Sequence, residues 1–266
     1  MKRIHLVEFE DLPWFPNWIR ELMTRYIQTF HKILNTSDHL IPLVEKGLSF
    51  SSSSQILDLC SGSGGPMPDV LKNLKKKEKH SNLKLFLSDL FPNQKAIKEI
   101  NKKAIKDIQY LEDPLDATQV DSKFTGLRTM VSGLHHMKPF LAKQVLRNAM
   151  ESKEPILIFE ISDNSAPIFL WWLAIPVAFI TSLFVTPFVR PMTWQQLVFT
   201  YLIPILPLFI AWDGAVSNAR TYTIGDMQKL VEDLSDDFYQ WEMGKIKGKG
   251  GNKLFLLGRP MVNSRL

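Results

Sequence analysis

The residues Gln55–Pro68, reading QILDLCSGSGGPMP, constrain the fold more than any other stretch of this 266-residue chain. Ile56, Leu57 and Leu59 form an apolar run that carries Asp58 and then meets a turn, Cys60–Gly65, with too few Cβ atoms to resist tight bending. Behind the turn, Asp69–Lys77 sets Val70, Leu71 and Leu74 on one face and predicts a helix. A strand, a glycine loop and a helix in that order direct loop amides and a helix N-terminus at a ligand that comes close to the backbone. A nucleotide-type cofactor requires that arrangement.

The segments that follow repeat the alternation. Leu83–Ser88 (LKLFLS) predicts a second strand that terminates at Asp89, followed by Leu90. An acid at that strand end is placed to accept hydrogen bonds from both hydroxyls of a ribose. Asp89 lies 31 residues past Asp58, beyond the ~20 of the dinucleotide fingerprint, and the lysine-rich Lys72–Lys79 segment accounts for the extra length. Ile108–Leu111 reads as a third strand leading to Asp116-Ala117-Thr118. Leu127–Ser132 (LRTMVS) reads as a fourth leading to Gly133-Leu134-His135-His136, and Ile156–Ile161 as a fifth with Glu160 and Asp163 near its end. Between them, Gln94–Lys106 (Ile97, Ile100, Ala104) and Leu141–Met150 (Val145, Leu146, Ala149) have helical apolar spacing. Strands alternating with helices predict a parallel doubly wound sheet. Farther on, Thr223-Ile224-Gly225-Asp226 reads as a capping box opening a helix with Met227, Leu230, Val231 and Leu234 inward. Tyr239–Lys247 and Lys253–Gly258, separated by Gly248-Lys249-Gly250-Gly251, predict a terminal hairpin.

The glycine loop resembles the first motif of the class I S-adenosylmethionine-dependent methyltransferases, an acid-x-Gly-x-Gly-x-Gly pattern. Asp58, Gly62 and Gly64 match it, with Cys60 in the first glycine position. A terminal antiparallel hairpin on a parallel sheet belongs to the same resemblance, which covers roughly Gln55–Pro260 with one interruption. It implies an α/β fold: a doubly wound, seven-stranded, mostly parallel sheet with a C-terminal antiparallel hairpin, binding S-adenosyl-L-methionine. By resemblance, Gly62 and Gly64 let the methionine portion approach the backbone, with Asp58 near its amino group. Asp89 would hold the ribose, Leu90 would pack on adenine, and Asp116 would accept from the adenine amine. Cys60, Ser61, Ala117 and Gly133 complete the implied cofactor contacts, Cys60 as a small strand-end residue and not a nucleophile. Glu8–Pro16 (EFEDLPWFP), Trp212–Ser217 and Arg220–Thr223 resemble a group of bacterial class I methyltransferases whose substrate is unassigned.

The interruption is the second constraint, because from Asn164 to Trp212 the only charged residue is Arg190. Ala166–Val189 is long enough to cross a bilayer core by the ~20-residue rule, and Pro191–Trp212 is nearly so. Pro176, Pro204 and Pro207 fall within these arms, where proline breaks or kinks a helix. The segment reads as a kinked apolar helical hairpin turning at Val189-Arg190-Pro191. Three roles are open to it: a lid over the active site, a re-entrant or interfacial membrane anchor, or an enlarged core or dimer contact. Trp171, Trp172, Trp194 and Trp212 fit an interfacial belt as well as a buried lid.

The N-terminal part adds one apolar stripe at helical spacing, Trp18, Ile19, Leu22, Met23, Tyr26, Ile27, Phe30, Ile33 and Leu34. The chain therefore divides into an N-terminal helical cap, 1–50, and a methyltransferase-like domain, 51–266, interrupted by the hairpin at 164–212. A hydrophobic content of 45% supports one core of ordinary size. One cysteine excludes an internal disulfide, and the acids Glu8, Glu10 and Asp11 interrupt any signal-peptide order. The expected compartment is the cytoplasm, at the inner face of its membrane if the hairpin enters lipid. The net charge of +5 comes with lysine clusters at Lys72–Lys79 and Lys245–Lys253. They lack interleaved aromatic residues, so a nucleic-acid partner is disfavoured and a solvated or lipid-facing surface preferred.

On the acceptor side, His135 and His136 lie where a fourth strand faces the cleft. Either reads as a general base, or as a histidine satisfied by a backbone carbonyl. Arg220 reads as an anchor for an acidic acceptor or as a partner of Asp213. Trp14 and Tyr222 read as pocket lining or as packing. The expected function is methyl transfer to oxygen or nitrogen of a hydrophobic small-molecule or lipid-like acceptor. The alternatives are a membrane-attached cofactor-binding protein without transfer activity, and an RNA methyltransferase.

Overall fold

The computed structural model describes residues 1–102, 107–235 and 237–261. Its centre is β1 (Gln55–Asp58), whose Ile56 and Leu57 point to opposite sides of a sheet and seed a separate core on each. Parallel to β1 lie β2 (Lys84–Leu87) on one edge and β4 (Leu127–Val131) on the other, with Asp58 level with Leu87 and with Thr129. Beyond β2 comes β3 (Ile108–Tyr110), and beyond β4 comes β5 (Ile156–Glu160). The sheet closes with β6 (Tyr239–Gly248) and β7 (Gly251–Pro260), and β7 runs antiparallel to both β5 and β6. The resulting seven-stranded order is β3-β2-β1-β4-β5-β7-β6. The order reverses between β1 and β4, so the connections after these two strands leave to opposite sides and open a crevice at their carboxyl ends.

Helices cover both faces. On one side, α5 (Pro139–Glu151) and α9 (Ile224–Val231) bring Val145, Leu146, Met227 and Leu230 onto Leu57 and Ile158. On the other side, α2 (Thr36–Leu48), α3 (Met67–Leu74) and α4 (Gln94–Lys102) bring Leu40, Val44, Leu71 and Ile97 onto Ile56 and Leu85. Within 1–50, α2 therefore belongs to the layer on the sheet, and α1 (Asn17–Ile33) is the part that stands off as a cap. The expected extension of α4 through Ala104 to Lys106 lies outside the described residues. The capping box is present in full: Thr223 accepts from the Asp226 amide and Asp226 from the Thr223 amide.

Ile19, Leu22, Met23 and Tyr26 of α1 are buried, while Trp18, Ile27 and Ile33 of the same predicted stripe are exposed. The buried part packs against the apolar insert, on Val185 of α6 (Ala174–Val185) and on Leu206 and Ile210 of α8 (Ile205–Arg220). The two arms of the insert differ, although they are alike in composition. The outgoing arm, Ile168–Phe188, is a continuous rod of 21 helical residues, with 11% of its most apolar window buried. Pro176 sits in the first turn of α6 and does not break it. The return arm begins with α7 (Trp194–Leu197), continues to Leu202 and bends by 82° at Ile203-Pro204. It then enters the protein as α8, with Leu206, Ile210, Ala211, Val216 and Ala219 buried. That helix runs on past Trp212, the expected end of the insert, and carries Asp213 and Arg220, both buried.

Candidate active site at the carboxyl ends of the strands

The loop after β1 is held from beneath. Leu59 N donates to Thr129 O (2.7 Å), and Ser61 N donates to Ser88 O (2.9 Å) at the end of β2. Asp58 accepts from Thr129 Oγ1 (2.6 Å) and Ser61 Oγ (2.7 Å) and is buried, which raises its pKa to about 7 despite those bonds. Asp58 is therefore an anchor under the loop, where the sequence reading placed it near the ligand's amino group. Cys60 takes the left-handed φ of +54° where the family pattern has glycine. Gly62 shares that φ, and a Cβ built on it meets nothing within 4 Å, so its outer side is open for a ligand.

Four side chains fix this open face. Gly62 N donates to Asp89 Oδ2 (2.9 Å), while the Gly62 carbonyl accepts from Tyr110 Oη (2.7 Å) at the end of β3. Gln28 of α1 donates to the Ser63 carbonyl, and Asn93 to the Ser63 hydroxyl, both at 3.1 Å. Asp89 also accepts from Phe91 N (2.9 Å), yet two backbone donors leave half of a carboxylate's four lone-pair sites free. Leu90 and Phe91 beside it are exposed. Asp116 folds an Asx turn by accepting from the Thr118 amide and hydroxyl, whereas the Ala117 side chain turns into the core and lines no cleft. Gly133 is tight against the loop: a Cβ there would stand 2.9 Å from Met130 Cγ and 3.3 Å from Cys60 Cβ. Burial, together with the charges of Asp89, Asp58 and Asp116, pushes the Cys60 thiol up to about 12, which shows how closely the strand-end acids converge. An open glycine backbone beside a carboxylate with spare acceptor sites suits an adenosyl cofactor with a ribose diol.

Across the crevice stands a polar wall made by the loop after β4, the N-terminal segment and the end of α8. His135 is buried and bonded through Nδ1 to Glu160 Oε2 (2.8 Å). His136, whose side chain is 32% exposed, places Nδ1 3.1 Å from Asp11 Oδ1 and 3.7 Å from Glu8 Oε2. Arg220 is buried and its donors are committed: Nη1 pairs with Glu8 (3.0 Å) and Asp11 (2.6 Å), Nη2 donates to His136 O, and Nε to His135 O. It pairs with neither Asp213 nor an open site. Asp213 instead accepts from Phe9 N (2.8 Å) and Glu10 N (3.1 Å), fixing the N-terminal segment. Tyr222 is fully buried, donating to Met137 O (2.7 Å) beneath the Arg3 guanidinium, so it braces the wall and offers no acceptor surface. Trp14 is 68% exposed and touches Phe15 by an edge, away from the wall. Of the five acceptor-side residues expected, His136 is the one that reaches the crevice.

No protein-family model and no curated protein sequence matches the chain. Solved structures do. Mitomycin 7-O-methyltransferase MmcR superimposes with a TM-score of 0.51 at 13% identity, covering 96% of this chain and 61% of its own. The plantazolicin methyltransferase BamL, solved with a triazolic desmethylPZN analog and SAH, gives 0.51 at 12% identity, covering 91% of this chain and 98% of its own. LaPhzM matches at 0.47 and 14% identity over 85% of this chain, which spans 55% of that protein. The β3-β2-β1-β4-β5-β7-β6 order with an antiparallel β7 agrees with the likeness to MmcR and BamL. This chain has the class I methyltransferase fold.

Within the class I methyltransferase fold, several residues of the site carry no motif in the sequence. Tyr110, Gln28 and Asn93 support the loop from three separate elements. Glu8, Asp11 and Glu160 surround the histidines from positions far apart in the chain. The usable signal was the placement of Glu160 at a strand end and the cluster of acids in EFED.

Proposed function

We propose that the chain is an S-adenosyl-L-methionine-dependent methyltransferase acting on oxygen or nitrogen of a hydrophobic small-molecule or lipid-like acceptor. One observation carries this: the open Gly62 face, bonded to Asp89, and the part-exposed His136 follow the carboxyl ends of the adjacent strands β1 and β4. Gly62, Asp89 and the neighbouring Leu90 and Asp116 would hold the cofactor, which supplies an electrophilic methyl group on a sulfonium sulfur. The protein contributes placement and exclusion of water. With Asp11 facing His136 Nδ1, the other ring nitrogen is left to take the acceptor's proton. His135, tied to Glu160, positions its neighbour, their ring centroids lying 4.2 Å apart.

The apolar character of the acceptor and the membrane location rest on the outgoing arm. Phe169, Val177, Ile180, Phe184 and Phe188 are exposed along it, and α1, which it packs against, bonds the glycine loop through Gln28. An exposed apolar surface of this length supports insertion into the inner leaflet beside the crevice, so that a lipid-like acceptor reaches the site without crossing water. An RNA acceptor is less well supported. Lys75 pairs with Asp107, Lys77 and Lys79 with Glu45, and Lys245 with Asp163, so four of the nine lysines in the two basic clusters are engaged by acids within the fold.

Isothermal titration of S-adenosylmethionine and S-adenosylhomocysteine, followed by transfer of a labelled methyl to an apolar metabolite and lipid extract, tests the proposal. Binding of both with label in the extract is expected. Binding without transfer would favour the cofactor-binding alternative, and a folded protein that binds neither would end the methyltransferase reading.

A further inference from the structure

The wall around His135 and His136 gathers Glu8, Asp11, Glu160 and Asp213 about two guanidiniums, Arg3 and Arg220. Glu8 is the clearest sign of something further: it is completely buried, and neither of its oxygens has a hydrogen-bond donor, the Arg220 ion pair notwithstanding. Such a group is costly unless a further cation meets it.

The geometry around Glu8 suits a metal ion. Glu8, His135 and His136 each offer a ligand atom, and the three atoms lie within 4.8 Å of one another. Glu8 Oε2 lies 3.7 Å from His136 Nδ1, so an ion there takes Nδ1, which Asp11 Oδ1 approaches at 3.1 Å, and leaves Nε2 of His136 for the acceptor's proton. His135 is already arranged as metal-bound histidines are, because Glu160 holds Nδ1 and leaves Nε2 as the nitrogen that can ligate. We propose that Glu8, His135 and His136 form a binding site for a divalent transition-metal ion of the zinc type, whose open position takes the nucleophilic atom of the acceptor. Two histidines and one carboxylate leave a tetrahedral ion one position short, as catalytic sites do, and His136 is the edge at which a fourth ligand reaches it. The role given to the fourth ligand rests on the methyltransferase reading, while the metal site itself does not.

The test uses full-length protein stripped by a chelator and titrated with Zn²⁺ alone, without S-adenosylmethionine. One equivalent binding at micromolar or tighter affinity is expected. Glu8→Gln, which keeps the shape of a buried side chain, and His136→Gln should each lose about tenfold or more, and Glu160→Gln about 10–100-fold through loss of the orienting carboxylate. Glu45→Gln, at the separate Glu45–His80 pair, should leave that equivalent in place. X-ray absorption at the zinc edge of the unaltered protein should show two imidazoles, a readout that no variant's folding can blur. Substoichiometric zinc, binding indifferent to Glu8→Gln and His136→Gln, or a shell without imidazole would overturn the site. Because zinc is titrated without S-adenosylmethionine, failure here is separable from failure of the methyltransferase reading.

Discussion

Asp58 and Asp89 end adjacent strands and look interchangeable in the sequence, yet their surroundings give them opposite work. Asp58 is enclosed by Thr129 and Ser61, whereas Asp89 is half-exposed and holds Gly62 with one oxygen. Replacing Asp89 by alanine should therefore weaken S-adenosylmethionine binding by about 1–3 kcal/mol, the range for hydrogen bonds to a charged group, with little change in melting temperature. Titration calorimetry decides it, and unchanged affinity would mean the ribose is held elsewhere. Strand-end position was legible from the apolar runs. The direction of each side chain was not, since it depends on what β4 places opposite β1. The histidine pair shows the same limit: adjacency was plain, but which ring is sealed and which reaches the crevice is decided by Glu160 and Asp11, 25 and 125 residues away.

At the scale of elements, the strands were readable because short β-branched and leucine-rich runs bounded by turns leave little choice, and the terminal hairpin was placed to within a few residues. The insert was readable as apolar and kinked, but not as asymmetric. Burial of α8 and exposure of α6 follow from α1 docking on one side, which composition does not encode. A consequence can be measured by vesicle flotation. Val177, 65% exposed, and Phe184, 72% exposed, point away from the protein, whereas Trp171 packs edge-on against Trp212 at 5.8 Å. Serine at Val177 and Phe184 should reduce flotation with anionic vesicles while sparing the melting temperature, and serine at Trp171 should lower the melting temperature. Equal flotation of the double variant and the parent would remove the membrane role of α6.

For the molecule as a whole, the buried acids set an unusual pH response. Burial raises Glu8, Asp58 and Asp213 to about 7, above the 4.5, 3.8 and 3.8 of the open chain. The folded state thus binds more protons than the unfolded one between those values, and stability declines as pH rises through this window. Burial raises Glu154 as well, while His31, lowered by burial to about 4, and His5, also lowered, work the other way as two groups against four. Below about pH 4 the sense reverses again. Bonds from Lys77 hold Glu45 at about 2, and bonds from Lys245 hold Asp163 at about 2 against its burial; both contributions are lost in acid. The melting temperature, measured in chelator, should peak near pH 5, to within about one unit, and fall toward pH 7.5. Asp58→Asn should flatten that fall, and a melting temperature that climbs steadily to neutral pH would refute the account. Burial, helped by Asp89, Asp58 and Asp116, has a practical consequence at the chain's single thiol. A group held protonated to about pH 12 does not form the thiolate that maleimides and disulfides need. Cys60 should therefore label slowly, and a cysteine introduced on the outward face of α6 should take up a polarity-sensitive dye ahead of it, reporting entry into lipid.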